Sequence, residues 1–125
     1  MKYLLDVNVL LAAIWTNHPR HPGAFAWLEG KNIVLCPSVE LGFLRISTHK
    51  KAINAPMESA RRLLEQFASE RLAERIGDDL PALQSRPKSS EQVTDFYLAD
   101  LASKHGMKLV TLDEGIQHDS VERIG

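Results

Sequence analysis

Apolar residues fall along this chain in short runs separated by stretches with helical spacing. Lys2 to Val7 is brief and dense in apolar residues, which predicts a buried strand. Val9 to Trp15 then supplies the apolar face of a helix that Asn8 is able to cap. Asn17 to Gly23 holds two prolines and a glycine and reads as a loop. A short helix over 24–29, started near Pro22 and stopped by Gly30, leads to a second buried strand over 32–36. Pro37 sits where the next helix begins, and that helix runs to Thr48. Asn54-Ala55-Pro56 opens a longer helix, in which Met57, Ala60, Leu63, Leu64, Phe67 and Ala68 recur at three- and four-residue steps. A weak strand over 72–76 precedes a polar segment, 77–90, that reads as a mobile loop with one helical turn at 80–83. A helix over 91–105 ends at Gly106, and strands follow over 108–112 and 120–124.

Strands that alternate with helices predict an α/β domain whose parallel sheet is covered on both faces. In such sheets the working cleft lies at the carboxyl ends of the strands. Four acids stand in comparable settings beside apolar residues: Asp6, Glu40, Asp95 and Asp113. Asp6 and Asp113 come directly after predicted strands, and Glu40 and Asp95 fall in the first turns of predicted helices. Each has a structural explanation of its own. Asp caps helices and turns, and an acid in a first turn is favoured by the helix dipole. Together they suggest one acidic pocket, costly as bare charge and relieved by a hard divalent cation. Asp100 lies five residues after Asp95, ~140° around the helix axis, so the two are poor partners for one ion. Thr111 places a hydroxyl two residues before Asp113 on the same side of its strand, where it is able to orient a carboxylate or a water. Arg45, just past Glu40, is equally a phosphate contact or half of a structural salt bridge.

Length and composition narrow the classes. A chain of 125 residues with 44% hydrophobic content predicts a single domain, 1–125. The net charge of −1 gives no global basic field, so any nucleic-acid contact depends on local patches such as His49-Lys50-Lys51, Arg61-Arg62 or Arg86-Pro87-Lys88. The lone Cys36 forms no internal disulfide, sits among apolar neighbours and fits a reducing cytosol. No apolar run approaches membrane-spanning length, and none resembles a secretory signal, so a cytoplasmic location is expected. The histidines show no zinc spacing, and neither a phosphate-binding glycine loop nor a serine nucleophile elbow is present. A receiver domain wants adjacent acids after its first strand, yet residue 7 is Val. A phosphatase of the Asp-x-Asp type fails because residue 8 is Asn.

Four segments carry a resemblance to a known family. Leu4-Leu5-Asp6-Val7-Asn8-Val9-Leu10-Leu11, Pro37-Ser38-Val39-Glu40-Leu41-Gly42-Phe43-Leu44-Arg45, Thr94-Asp95-Phe96-Tyr97-Leu98-Ala99-Asp100-Leu101-Ala102 and Leu109-Val110-Thr111-Leu112-Asp113 resemble, in order and spacing, the motifs of the PIN domain, and within it the VapC-like ribonuclease toxins. The resemblance implies a three-layer α/β/α sandwich around a central, mainly parallel sheet. It implies Mg²⁺- or Mn²⁺-dependent cleavage of RNA by the quartet Asp6, Glu40, Asp95 and Asp113; of these, Asp6 and Asp95 are expected to contact the metal directly or through water, with Glu40 and Asp113 completing the shell or positioning the attacking water. It further implies a cognate antitoxin and a homodimer as the basic unit. Apolar residues of the early helices, Leu11, Ile14, Trp15, Phe43 and Leu44, are candidates either for an antitoxin groove or for core. The competing expectation is a catalytically silent PIN-like module that serves only as a protein partner.

Overall fold

The computed structural model describes residues 1–125. Five strands, β1 (Lys2–Leu5), β2 (Asn32–Leu35), β3 (Glu74–Arg75), β4 (Lys108–Thr111) and β5 (Val121–Arg123), form one sheet in the order β3-β2-β1-β4-β5. Every pairing is parallel. Five helices connect or flank them: α1 (Val7–Ile14), α2 (His21–Leu28), α3 (Pro37–Thr48), α4 (Met57–Glu70) and α5 (Val93–Lys104). Two 3-10 turns, Ala82–Gln84 and Ser90–Gln92, interrupt the stretch between β3 and α5.

Connectivity decides which helices share a face. From β1 the chain steps through α1 and α2 to β2, then through α3 and α4 to β3, always in one direction across the sheet. It then returns past β1 to β4 and moves the other way. Right-handed crossovers therefore put α1–α4 on one face and α5 on the other. Consistent with this, α1 packs on α2 and α3, α3 packs on α4, and α5 packs on β4 and β1. The direction reverses between β1 and β4, and in an open parallel sheet the crevice forms at that reversal, outside the carboxyl ends.

The core is continuous through the sheet. Leu4, Leu5, Val34, Leu35, Leu109 and Val110 are fully buried on the three central strands. That explains why these strands read as unbroken apolar runs rather than as alternating ones. Val9, Leu10, Val39 and Phe43 cover one face, and Leu98, Ala99, Leu101 and Ala102 the other. No helix is long and apolar enough to cross a membrane.

The predicted elements are present, but α2 begins at His21, inside the expected loop, and three further differences stand out. β1 ends at Leu5, and the cap of α1 is Asp6 rather than Asn8: Asp6 is extended (φ −70°, ψ 159°), and its Oδ1 accepts from the Val7 amide at 2.7 Å. Asn8 is already helical, and its side chain reaches β4 instead. The helix expected over 91–105 begins as the 3-10 turn at 90–92 and becomes α-helical only from Val93. The segment expected to be mobile is tethered near its start. Ser38 Oγ donates to Asp78 Oδ2 at 2.6 Å, Tyr97 OH donates to the Leu80 carbonyl at 2.9 Å, His105 Nε2 lies 2.8 Å from Asp79 Oδ1, and Lys104 donates to the Asp79 carbonyl. These partners are 17 to 40 residues away in sequence, so a local reading of polar composition had no means of registering them.

Candidate metal centre

Asp6 lies where β1 turns into α1, at the sheet's point of reversal. Leu5 is in register with Val110, so Asp6 and Thr111 stand side by side and point to the same side of the sheet. Thr111, fully buried, donates from Oγ1 to Asp6 Oδ2 at 2.7 Å. The same hydroxyl oxygen accepts from the Asp113 amide at 3.0 Å and lies 3.4 Å from Asn8 Nδ2. Asn8 Oδ1 in turn accepts from the Leu112 amide at 3.3 Å. One threonine thus joins two of the expected acids, and Asn8 ties α1 to the end of β4. Both Asp6 oxygens are held, one by the Val7 amide and one by Thr111, which fixes the carboxylate without neutralising it.

Asp95, in the first turn of α5, and Asp113, just past β4, complete a group of three acids. Asp6 is only 4% exposed, and its burial raises its pKa; the hydrogen bonds from Thr111 and Val7 oppose that rise, and Asp113 adds to it. Asp95 is pushed up to about 7, first by burial, then by the charges of Asp6 and Asp113, and by carboxyl-to-carboxyl hydrogen bonding with Asp113. Asp95 therefore keeps its proton to a higher pH than an ordinary aspartate. Like charges crowded at the end of a sheet have this effect in the absence of a cation.

Glu40 is placed differently. It lies in the first turn of α3 as expected, but Arg75, the last residue of β3, donates to its Oε1 from both Nε (3.0 Å) and Nη2 (2.9 Å). The three aspartates repel one another, whereas Glu40 is joined to a guanidinium and leaves Oε2 free of it. As the side chains stand, no three acidic, imidazole or thiol groups are gathered tightly enough to hold one ion. The donor chemistry nonetheless fits a hard cation: the candidate donors are all carboxylate oxygens, and the raised pKa values of Asp6 and Asp95 are what an added positive charge would oppose. Sequence reasoning missed Arg75, whose position opposite Glu40 depends on the pairing of β3 with β2, Leu35 in register with Arg75.

The remaining expectations resolve into structure. Asp100 pairs with His118, Oδ1 to Nε2 at 2.7 Å, and the same imidazole packs edge-on against Phe96. His18 and His21 serve the loop after α1: His18 Nδ1 accepts from the Arg20 amide, and His21 Nδ1 lies 2.8 Å from the Ala12 carbonyl. Cys36 is buried, and its thiol is pushed up to about 12, which leaves it unreactive. Of the residues offered for a groove, Phe43 and Leu11 belong to the core, while Ile14, Trp15 and Leu44 are half-buried. Trp15 stacks on Phe43 and donates from Nε1 to Ser47 Oγ.

The sequence pattern of the PIN domain matches residues 3–120, a span that holds all four acids. The chain belongs to the PIN domain family. Among its curated relatives, Ribonuclease VapC38 of Mycobacterium tuberculosis (strain ATCC 25618 / H37Rv) is 32% identical over 126 residues, covering 90% of this chain and 86% of that protein. Ribonuclease VapC44 of the same strain is 35% identical, covering 93% and 89%. Among solved structures, VapBC2 from Rickettsia felis bound to a DNA fragment from its promoter superimposes with a TM-score of 0.69 over 100% of both chains at 20% identity. Mycobacterium tuberculosis VapC20, a toxin that cleaves the sarcin-ricin loop, gives 0.62 at 12% identity, over 94% of this chain and 91% of that one. At such identities the two structures speak for the fold: a PIN-type α/β domain with a central parallel sheet.

Proposed function

We propose that this protein is a divalent-cation-dependent ribonuclease and the toxin of a toxin–antitoxin pair. The observation that carries the reading is the juxtaposition of Asp6, Asp95 and Asp113 at the sheet's reversal point, with Asp6 oriented by Thr111, in a chain whose curated relatives are named ribonucleases. Asp6 and Asp95 would be the main cation ligands, with Asp113 and Glu40 completing the set, Glu40 through the Oε2 that Arg75 leaves free.

When bound, Mg²⁺ or Mn²⁺ would acidify a water and offset the charge that builds on the scissile phosphate. The chain's own residues do the rest. Thr111 and the Val7 amide hold the Asp6 carboxylate in one orientation, so its ligand geometry is set before any ion arrives. Asp95, held above the usual aspartate range first by burial and then by the charges of Asp6 and Asp113, would be favoured in its ionised form by a bound cation. Asn8 keeps α1 and the Leu112–Asp113 turn in a fixed relation, which sets the separation of Asp6 from Asp113.

The toxin assignment brings with it a cognate antitoxin, a homodimeric basic unit and a cytoplasmic site of action. A groove of about 380 Å³ between α1, α2 and α4, where Phe25 is 45% exposed beside Ile14 and Phe67, supports an apolar docking place for an antitoxin segment. The test is cleavage of total RNA by purified protein in Mn²⁺, in EDTA, and with Asp6→Asn or Asp95→Asn folded by circular dichroism. Activity confined to the native protein with metal is expected. Full metal-dependent cleavage by both variants would defeat the assignment of the centre, and no cleavage by native protein with metal would favour the silent binding module.

A further inference from the structure

A second cleft, of about 280 Å³, opens beside the acidic centre between the 82–87 segment, the start of α3 and the first turns of α5. Its lining carries no charged side chain. Ala82, Pro87 and Val93 are apolar, Tyr97 contributes a ring, and Ser38, Ser85 and Thr94 contribute hydroxyls. Two of the polar groups are already committed: Ser38 Oγ to Asp78 and Tyr97 OH to the Leu80 carbonyl. Ser85 is 8% exposed, and its Oγ is the one buried side-chain polar atom in the protein without a hydrogen-bond partner. Leaving a buried hydroxyl unpaired is unfavourable, and such an exception points to a missing partner.

The position of the cleft narrows what that partner is. Its walls include Ser38 of the first turn of α3 and Thr94 of the first turn of α5, the turns that also carry Glu40 and Asp95. None of the lining side chains offers a phosphate a cation. A neutral, flat group with hydrogen-bonding edges suits apolar walls, an aromatic ring and free hydroxyls, and an unstacked nucleobase is such a group. We propose that this cleft seats one unpaired base of the RNA next to the bond that is cut, with Ser85 Oγ and Thr94 Oγ1 meeting its edge. The inference rests on the ribonuclease reading and extends it to sequence preference. It also assigns a role to the 77–92 segment: Ser38, Tyr97 and His105 tether residues 78–80, from which the 82–87 wall continues.

The experiment uses single-stranded RNA oligonucleotides around a mapped cut site, each carrying one abasic nucleotide at a successive position. Three proteins are compared: native, Ala82→Phe, which fills the cleft from an exposed position, and Ser85→Ala. For the native protein, one abasic position is expected to raise KM about tenfold, with little change at the others. Ala82→Phe should raise KM on intact RNA by a similar factor and be indifferent to the abasic change at that position, because the two perturbations remove one interaction. Ser85→Ala should alter base preference at that position alone. Anisotropy of the same labelled oligonucleotides in Ca²⁺ makes the comparison by binding, without cleavage. Native protein indifferent to every abasic position, or Ala82→Phe still sensitive to the critical one, overturns the proposal. So does a loss of antitoxin neutralisation in Ala82→Phe with RNA kinetics intact, since the occupant would then be a protein segment. Asp6→Asn and Asp95→Asn both as active as native protein would sink the assigned acidic centre instead, and the anisotropy series would still decide the cleft.

Discussion

Asp95→Asn should stabilise the cation-free protein while ending its activity. In the native fold Asp95 titrates at about 7, whereas an unfolded chain gives an Asp near ~3.9. Between these values the folded protein binds a proton that the unfolded one does not, so stability falls as pH rises from about 4 to 7 and then levels off. The full shift corresponds to roughly 4 kcal/mol at ~1.36 kcal/mol per pH unit, and solvent access to a half-buried carboxyl reduces it to about 2 kcal/mol. The amide of Asn keeps the shape and carries no charge. At pH 8 in EDTA, Asp95→Asn should therefore be more stable by about 2 kcal/mol, or some 6–10 °C in Tm for a domain of this size. At pH 4 the two proteins should coincide. Saturating Mn²⁺ should raise the Tm of native protein much more than that of the variant, since an ion that binds only the folded state stabilises it by mass action. The assay is urea and thermal denaturation across pH 4 to 8. A variant less stable than native protein at pH 8, or a difference that does not change with pH, would refute the reasoning.

Other perturbations isolate other parts. Thr111→Val keeps the volume but removes the donor to Asp6 and the acceptor for the Asp113 amide; Mn²⁺ affinity by calorimetry should fall by about 10–100-fold, and an unchanged affinity would remove Thr111 from the site. Arg75→Gln frees Glu40 from a half-exposed ion pair, so stability should change by less than about 1 kcal/mol while Mn²⁺ binds a few-fold more tightly; weaker binding would mean that Arg75 positions Glu40 rather than competing for it. Phe43→Ala empties a fully buried position under Trp15 and should cost about 3–5 kcal/mol in urea denaturation, a loss below ~1 kcal/mol being incompatible with the packing described.

The reversal between β1 and β4 explains why so few residues suffice to build the centre. Asp6 and Asp113 come from adjacent strand ends, and Asp95 comes from the helix packed over both. Neutral partners, Thr111 and Asn8, hold this group in shape, so the acids remain available to a ligand. At the far side of the same edge, Arg75 and Glu40 satisfy each other. The carboxyl edge thus carries one crowded group of like charges and one paired one.

Apolar runs and helical spacing were enough, from the chain alone, to determine the elements, their alternation and hence a parallel sheet, because those patterns report burial directly. The four acids were visible for the same reason: a carboxylate ending a buried run stands out against its neighbours. What the chain order leaves undetermined is which strand lies beside which. Only the order β3-β2-β1-β4-β5 puts Thr111 against Asp6, Arg75 against Glu40, and Ser85 beside Thr94 in a cleft. Those contacts join residues that are 9 to 105 positions apart, and their energies depend on distance, burial and mutual charge, quantities that exist only once the chain has closed on itself.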